Sequence, residues 1–245
     1  MRYYLTVHIK SATTFGTGQG VAGLVDVEIE HDSQTGFPFI GGRSLKGLLV
    51  EEWVNIRYAL SNRSTTWENY AQRLFGLPGA TTTYNDAATV QKPTANENAA
   101  ELHVGAAMLP QDLRATLRWQ IQHRGLKPDD VLASLTAIRR QTAIKADTGA
   151  ADPGTLRAMR VLLPETPMIA PLDFDTQPDE TMLSLLAACV LAVRSGGTGR
   201  NRGRGRIALL LHQCKRDSNN DEPDDYQDDT FTHHSFKPFA REVCA

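Results

Sequence analysis

G-F-P-F-I-G-G-R-S-L-K-G, residues 36–47, is an apolar run that breaks at a glycine pair and then resumes. After Ser44, a residue type that caps helix N-termini, Leu45, Leu48, Leu49, Trp53, Ile56 and Leu60 recur at helical spacing. The stretch reads as the end of an extended element, a tight turn and a helix start carrying Arg43 and Lys46. The free N–H groups of such a start favour an anion. Helix starts are common, however, so the rest of the chain must decide whether this one binds anything.

Upstream, Y-Y-L-T-V-H-I (3–9) is rich in β-formers and reads as a strand, and the glycine-rich residues 11–20 read as loop. In L-V-D-V-E-I-E-H (24–31), Val25, Val27 and Ile29 alternate with Asp26, Glu28 and Glu30, which predicts a strand with one apolar and one acidic face. Downstream, residues 80–100 are polar and unpatterned, as in an insertion. Residues 131–140 are compatible with a short helix, and I-K-A-D-T-G-A-A-D-P-G (144–154) with a hairpin tip. V-L-L-P-E-T-P-M-I-A-P-L (161–172) is extended. From Pro178 to Arg194 a stripe of Met182, Leu186, Cys189, Val190 and Val193 predicts a helix that stops at Ser195-Gly196-Gly197, and residues 207–213 form a short buried-type strand. This order predicts an α+β fold, a ferredoxin-like (RRM-like) antiparallel sheet with helices on one face.

Composition narrows the class. No apolar run approaches the roughly 18 residues of a membrane span, and the N-terminus has no signal-peptide layout. The three widely spaced cysteines, Cys189, Cys214 and Cys244, suggest a reducing compartment, and the expectation is a cytoplasmic protein. Residues 216–229 hold seven acids and one arginine, so the chain's net −2 becomes +4 once this run's −6 is set aside. The run reads as a solvated segment, which makes residues 1–213 the folded domain and 214–245 an acidic, flexible tail. It lacks the glycine and final glutamate of a calcium loop.

The positive excess is concentrated after the last predicted helix. In G-G-T-G-R-N-R-G-R-G-R-I (196–207) and the residues before it, Arg194, Arg200, Arg202, Arg204 and Arg206 fall within thirteen residues that contain no acid. Glycines let the backbone approach a ligand, and arginine offers a planar fork for phosphate oxygens. The segment leaves a helix and enters a strand, the reverse of a dinucleotide fingerprint, and it is not a P-loop. It reads as a phosphate-backbone surface for nucleic acid, including Gly199 at its bend.

The two glycine-rich segments together resemble the RAMP superfamily of CRISPR-associated proteins, and more closely the backbone subunits of type III effector complexes. The resemblance rests on P-F-I-G-G-R-S-L-K-G (38–47), on R-R-Q-T-A-I-K-A-D-T-G-A-A (139–151) with L-L-P-E-T-P-M (162–168) as a thumb spanning about 139–170, and on the loop 196–206. It implies guide-RNA (crRNA) binding by Arg43, Ser44, Lys46, Arg139, Arg140, Lys145, Gly199, Arg200, Arg202, Arg204 and Arg206. It also implies cleavage of the paired target RNA by an aspartate upstream of the P-F-I element. Counting back from Pro38 places Asp26 there, with Asp32 on a second aspartate that reads as a turn residue; Val27-Glu28 replaces the family's usual Asn/Ser-Pro pair. A divalent ion, Mg2+ or Mn2+, is the implied cofactor, with Asp26 as its ligand. The implied partners are guide RNA, target RNA, other RAMP subunits and the large subunit of the complex. The alternatives are a structural subunit without cleavage, a guide-processing endoribonuclease using histidine, and a module whose arginine loop meets an acidic protein. His31, His103, His123, His233 and His234 have no metal-ligand spacing, which weighs against the histidine enzyme.

Overall fold

The computed structural model describes residues 1–21, 24–60, 65–76, 99–214, 222–223 and 225–243. Four segments with apolar β-formers build one antiparallel sheet: β1 (Arg2–Ile9), β2 (Leu102–Val104), β5 (Pro167–Phe174) and β6 (Ile207–Cys214), in the order β2-β5-β1-β6. Tyr3 pairs with Leu172 on one side and Gln213 on the other, so β1 is hydrogen-bonded along both edges. Helix α1 (Gly42–Ala59) links β1 to β2 and α5 (Glu180–Ala192) links β5 to β6. These are two interleaved split βαβ units, the ferredoxin-like arrangement expected from the sequence.

Period-2 alternation points Tyr3, Leu5, Val7 and Ile9 into the core, where they meet Leu45, Leu49, Leu185, Leu186 and Cys189 of α1 and α5. Burial pushes the Cys189 thiol pKa well above the usual thiol range, so it stays an inert apolar filler. Helix α5 starts two residues later than Pro178, with Asp179 accepting the Met182 N–H as N-cap at 2.8 Å.

Several expectations are corrected. Helix α1 begins at Gly42 with Gly41 as its N-cap, and Ser44 lies exposed inside the first turn. A Cβ at Gly42 would collide with the Val104 carbonyl, so close approach of β2 sets the helix start, not a hydroxyl cap. Residues 131–140 are split between α4 (Pro128–Leu135) and β3 (Thr136–Gln141), because Pro128 starts the helix earlier and the β-branched and charged residues after Leu135 join a hairpin. Helices α2 (Thr65–Phe75) and α3 (Gln111–Arg124), and the three-residue β2, had not been anticipated. The insertion expected at 80–100 lies, up to residue 98, outside the described residues.

The part of the expected flexible tail that is described, residues 222–223 and 225–243, is instead folded against the domain. Residues Thr230–Val243 form α6, which packs on α5 and buries Phe239 edge-to-face against Trp67 at 4.7 Å. Thr232 Oγ1 accepts from Leu211 N–H and donates to Leu211 O, which satisfies the outer edge of β6. Ahead of the helix, Glu222 accepts from Gln111 N–H at 2.6 Å and pairs with Arg114 at 3.1 Å, while the Tyr226 carbonyl accepts from His8 at 2.8 Å. Charge composition hid this because the anchoring residues are few and the acids around them dominate the average.

Candidate nucleic-acid interface

The arginine–glycine loop is pinned by its glycines. Gly197, at φ 80°, passes so close to the 13–14 backbone that a Cβ would stand 2.5 Å from Thr14 O, and a Cβ at Gly205 would collide with Gly196 O. Thr198 N–H donates to Thr14 O at 2.7 Å, Thr13 Oγ1 to Gly196 O at 3.1 Å, and Arg206 N–H to Ser11 Oγ at 2.9 Å. Gly199, also at positive φ, is the N-cap of a single 3-10 turn, Arg200–Arg202. The loop is therefore a fixed platform on residues 10–14.

Opposite it stands an antiparallel hairpin of β3 (Thr136–Gln141) and β4 (Arg157–Leu162), here termed the thumb; of the segment expected as a thumb, about 139–170, residues 167–170 belong instead to β5 of the main sheet. The stretch expected as a regular acidic-faced strand, 24–31, instead forms isolated bridges, and only its middle lies along the free edge of β4. Val27 bridges Met159, Asp26 N–H donates to Ala158 O at 2.8 Å, and Arg160 N–H donates to Val27 O at 3.0 Å. Glu28 is correspondingly buried, not solvent-facing.

Pairing register sorts this ribbon into two faces. Val27, Gln141, Arg157 and Met159 share one face, and with Gly197, Thr198, Gly199, Arg200, Arg202 and Arg204 they enclose a cleft of about 610 Å³. Arg139, directly opposite Met159, belongs to the same face. Asp26, Arg140 and Ala158 occupy the other face, where an open cleft of about 720 Å³ is rimmed by the exposed apolar residues Val21, Leu24 and Leu156. Arg139 and Arg140, adjacent in sequence, thus lie on opposite faces of the ribbon, and of the two only Arg140 lines one of these clefts.

The predicted residues are not equivalent. Arg200 forks onto Glu51 at 2.7 and 2.8 Å, and this carboxylate hydrogen bond raises its already high pKa. Arg202 and Arg206 are exposed, and Arg204 is half-buried with Nη1 3.3 Å from Met159 Sδ. Lys46 donates Nζ to Leu102 O at 2.9 Å, and partial burial lowers its pKa; it ties α1 to β2. Arg43 and Ser44 are exposed, but a Cβ at Gly41 would lie 2.8 Å from Glu30 Oε2, so an acid already stands at the α1 N-terminus. Lys145 sits at the thumb tip, 3.8 Å from Asp152. Arg157, which lines the basic cleft, was missed; its signal was a cation two positions from Met159, on the same face of the strand.

Asp26 is exposed and lines the open cleft of about 720 Å³; its Oδ2 accepts the Ala158 N–H at 2.6 Å, and among the described residues its Oδ1 has no hydrogen-bond partner. Asp32 instead accepts Gln34 and Thr35 N–H groups at 2.8 and 3.1 Å, the turn role expected for it. Among the described residues no group of three or more His, Cys, Asp or Glu side chains could hold a metal. One free carboxylate oxygen does not make a resident Mg2+ or Mn2+ site, and no chemical step below is routed through such an ion. His103 pairs with Asp175 at 3.0 Å on the surface, away from both clefts. No described helix is long and apolar enough to cross a membrane.

Among solved structures the chain is similar in fold to a chain of "Cryo-EM structure of the Type III-B Cmr-beta bound to cognate target RNA", at 12% identity and TM-score 0.56, covering 86% of this chain and 97% of that one. It is similar also to a chain of "Type III-B Cmr-beta Cryo-EM structure of the Apo state", at 12% identity and TM-score 0.52 with the same coverage. No curated protein matches it. Residues 6–208, from β1 through the thumb and the pinned arginine loop into β6, match the RAMP superfamily, and the chain belongs to that family.

Proposed function

We propose that the protein is a guide-RNA-binding backbone subunit of a type III CRISPR effector complex, and that Asp26 cleaves the target RNA paired to the guide. The observation that carries this reading is the cleft of about 610 Å³ lined by Arg157, Arg200, Arg202 and Arg204 and floored by glycine backbone. Such a surface suits a phosphate backbone, and sequence would be read by base pairing, not by the protein. The superfamily membership and the fold shared with chains of Cmr-beta structures support the same assignment.

On the opposite face of the ribbon, the free Oδ1 of Asp26 is an acceptor for a target 2′-hydroxyl. Taking that proton, it would favour attack of the 2′-oxygen on the adjacent phosphorus; the P–O5′ bond breaks and the leaving 5′-oxygen takes a proton from water. Arg140, in the same cleft, would offset charge building on the phosphoryl oxygens. The partners are guide RNA, target RNA, related RAMP subunits and the large subunit of the complex. The test is an effector complex assembled on guide RNA with Asp26→Asn: target still binds and the cuts disappear. Cuts at unchanged positions and rates would remove the enzymatic part and leave an architectural subunit.

A further inference from the structure

We infer that the Glu28–Arg160 ion pair is the positioning device for Asp26, and that Arg160 joins the Asp26 segment, the thumb and the arginine–glycine loop into one rigid unit. The inference rests on the reading of Asp26 given above, but its geometry stands apart from it. Arg160 Nε donates to Glu28 Oε1 at 2.7 Å, and the two side chains are only 11% and 10% exposed. By register, Arg160 lies on the Asp26 face of the hairpin, one same-face step closer to the core than Ala158, whose N–H holds the Asp26 carboxylate. The pair thus lies one same-face step inward of the Ala158 N–H that holds Asp26.

Arg160 reaches three segments directly and a fourth through Thr14. Its Nη1 donates to Thr136 Oγ1 at 3.2 Å at the root of β3, and its N–H donates to Val27 O at 3.0 Å. Its carbonyl accepts from Thr14 Oγ1 at 2.8 Å, and Thr14 O in turn accepts the Thr198 N–H of the arginine–glycine loop. Glu28 holds Arg160 from the other side and also accepts the Ile29 N–H at 3.0 Å. A buried ion pair adds little net stability compared with apolar residues of similar volume, whereas it imposes a specific geometry. That asymmetry separates positioning from mere stabilisation.

The test reads amide hydrogen exchange in the full chain and cleavage in the assembled complex. Replacing the pair by apolar residues, Glu28→Leu with Arg160→Met, is expected to leave the thermal midpoint close to that of the parent. Exchange at the Asp26, Ala158 and Arg160 amides should nevertheless accelerate at least tenfold, with Leu5 and Val7 in β1 within twofold. The single-turnover cleavage rate at saturating target should fall at least tenfold while guide RNA loading stays within twofold. Glu28→Gln, which keeps the Oε1 acceptor, should stay within threefold of the parent in exchange, whereas Glu28→Ala should not. Parent-like protection and cleavage in the double variant, uniform acceleration across β1 and the thumb, or equal values for Gln and Ala would each overturn the proposal. If the parent complex does not cut, the cleavage reading fails while exchange at Ala158 still decides the role of the pair.

Discussion

Glu51→Gln should make the protein bind RNA more tightly. Of the four arginines lining the basic cleft, Arg200 is bound bidentately by Glu51, whereas among the described residues no acid pairs with Arg157, Arg202 or Arg204. Each contact with a single-stranded phosphate contributes about 0.7 to the slope of log K against log salt, so three free cations predict a slope of about −2.1. Neutralising Glu51 releases a fourth and steepens it to about −2.8, while Arg202→Ala flattens it to about −1.4. The same relation makes Glu51→Gln about 8-fold tighter at 50 mM salt, about 5-fold at 100 mM and about 3-fold at 200 mM. The pair is partly exposed, so breaking it costs less than about 1 kcal/mol of stability and the fold is not at issue. Fluorescence anisotropy with a labelled, unstructured RNA, titrated at these three salt concentrations, measures both affinity and slope. Weaker or unchanged binding by Glu51→Gln, or a slope that stays at the parent value, would refute the charge assignment of the cleft. Arg200→Ala in the Glu51→Gln background should cancel the gain, which ties the effect to that guanidinium.

Phe239→Ala should destabilise the chain by about 3–5 kcal/mol in urea unfolding, because it empties the contact with Trp67 under α6; a loss below about 1 kcal/mol would contradict the docking of the C-terminal helix. Gly197→Ala, at a positive φ and against Thr14 O, should cost about 1–3 kcal/mol and weaken RNA binding by unseating the loop, visible as faster exchange of the Thr198 amide. Burial lowers the pKa of His212, which lies 3.0 Å from Thr6 Oγ1, with the nearby charges of Asp228 and Asp225 opposing that shift and His8 adding to it. The unfolded chain therefore binds the proton first as pH falls below the ordinary histidine value near 6.5. Thermal melts should lose stability from pH 7 downward through the depressed folded value, and His212→Gln should flatten that acid limb.

The local elements with strong periodicity were legible in the sequence: β1, α1, α5 and β6 follow from alternation or from helical stripes of Leu, Val and Ile, and their order pointed to a ferredoxin-like antiparallel sheet with helices on one face. Gly196–Arg206 stood out as a basic, glycine-rich loop because glycine and arginine were concentrated where no acid occurs. Three-residue β2 and the weakly amphipathic α3 carried too little pattern to be seen, and α6 was masked by the acids before it.

Which charges remain available was decided only by tertiary structure. Nothing in the spacing of Arg200 and Glu51, or of Glu28 and Arg160, marks them as partners; chain segments distant in sequence meet there because the sheet and hairpin bring them together. The opening stretch shows the same division. Its sequence dictated a turn and a helix start near the glycine pair, but the approach of β2 fixed that start at Gly42, where a side chain has no room beside Val104 O. The fold then placed Glu30 at that helix end and turned Lys46 onto Leu102 O, while in the basic cleft Arg157, Arg202 and Arg204 pair with no acid among the described residues. Local propensity is a property of neighbours in the chain, whereas electrostatic availability is a property of neighbours in space.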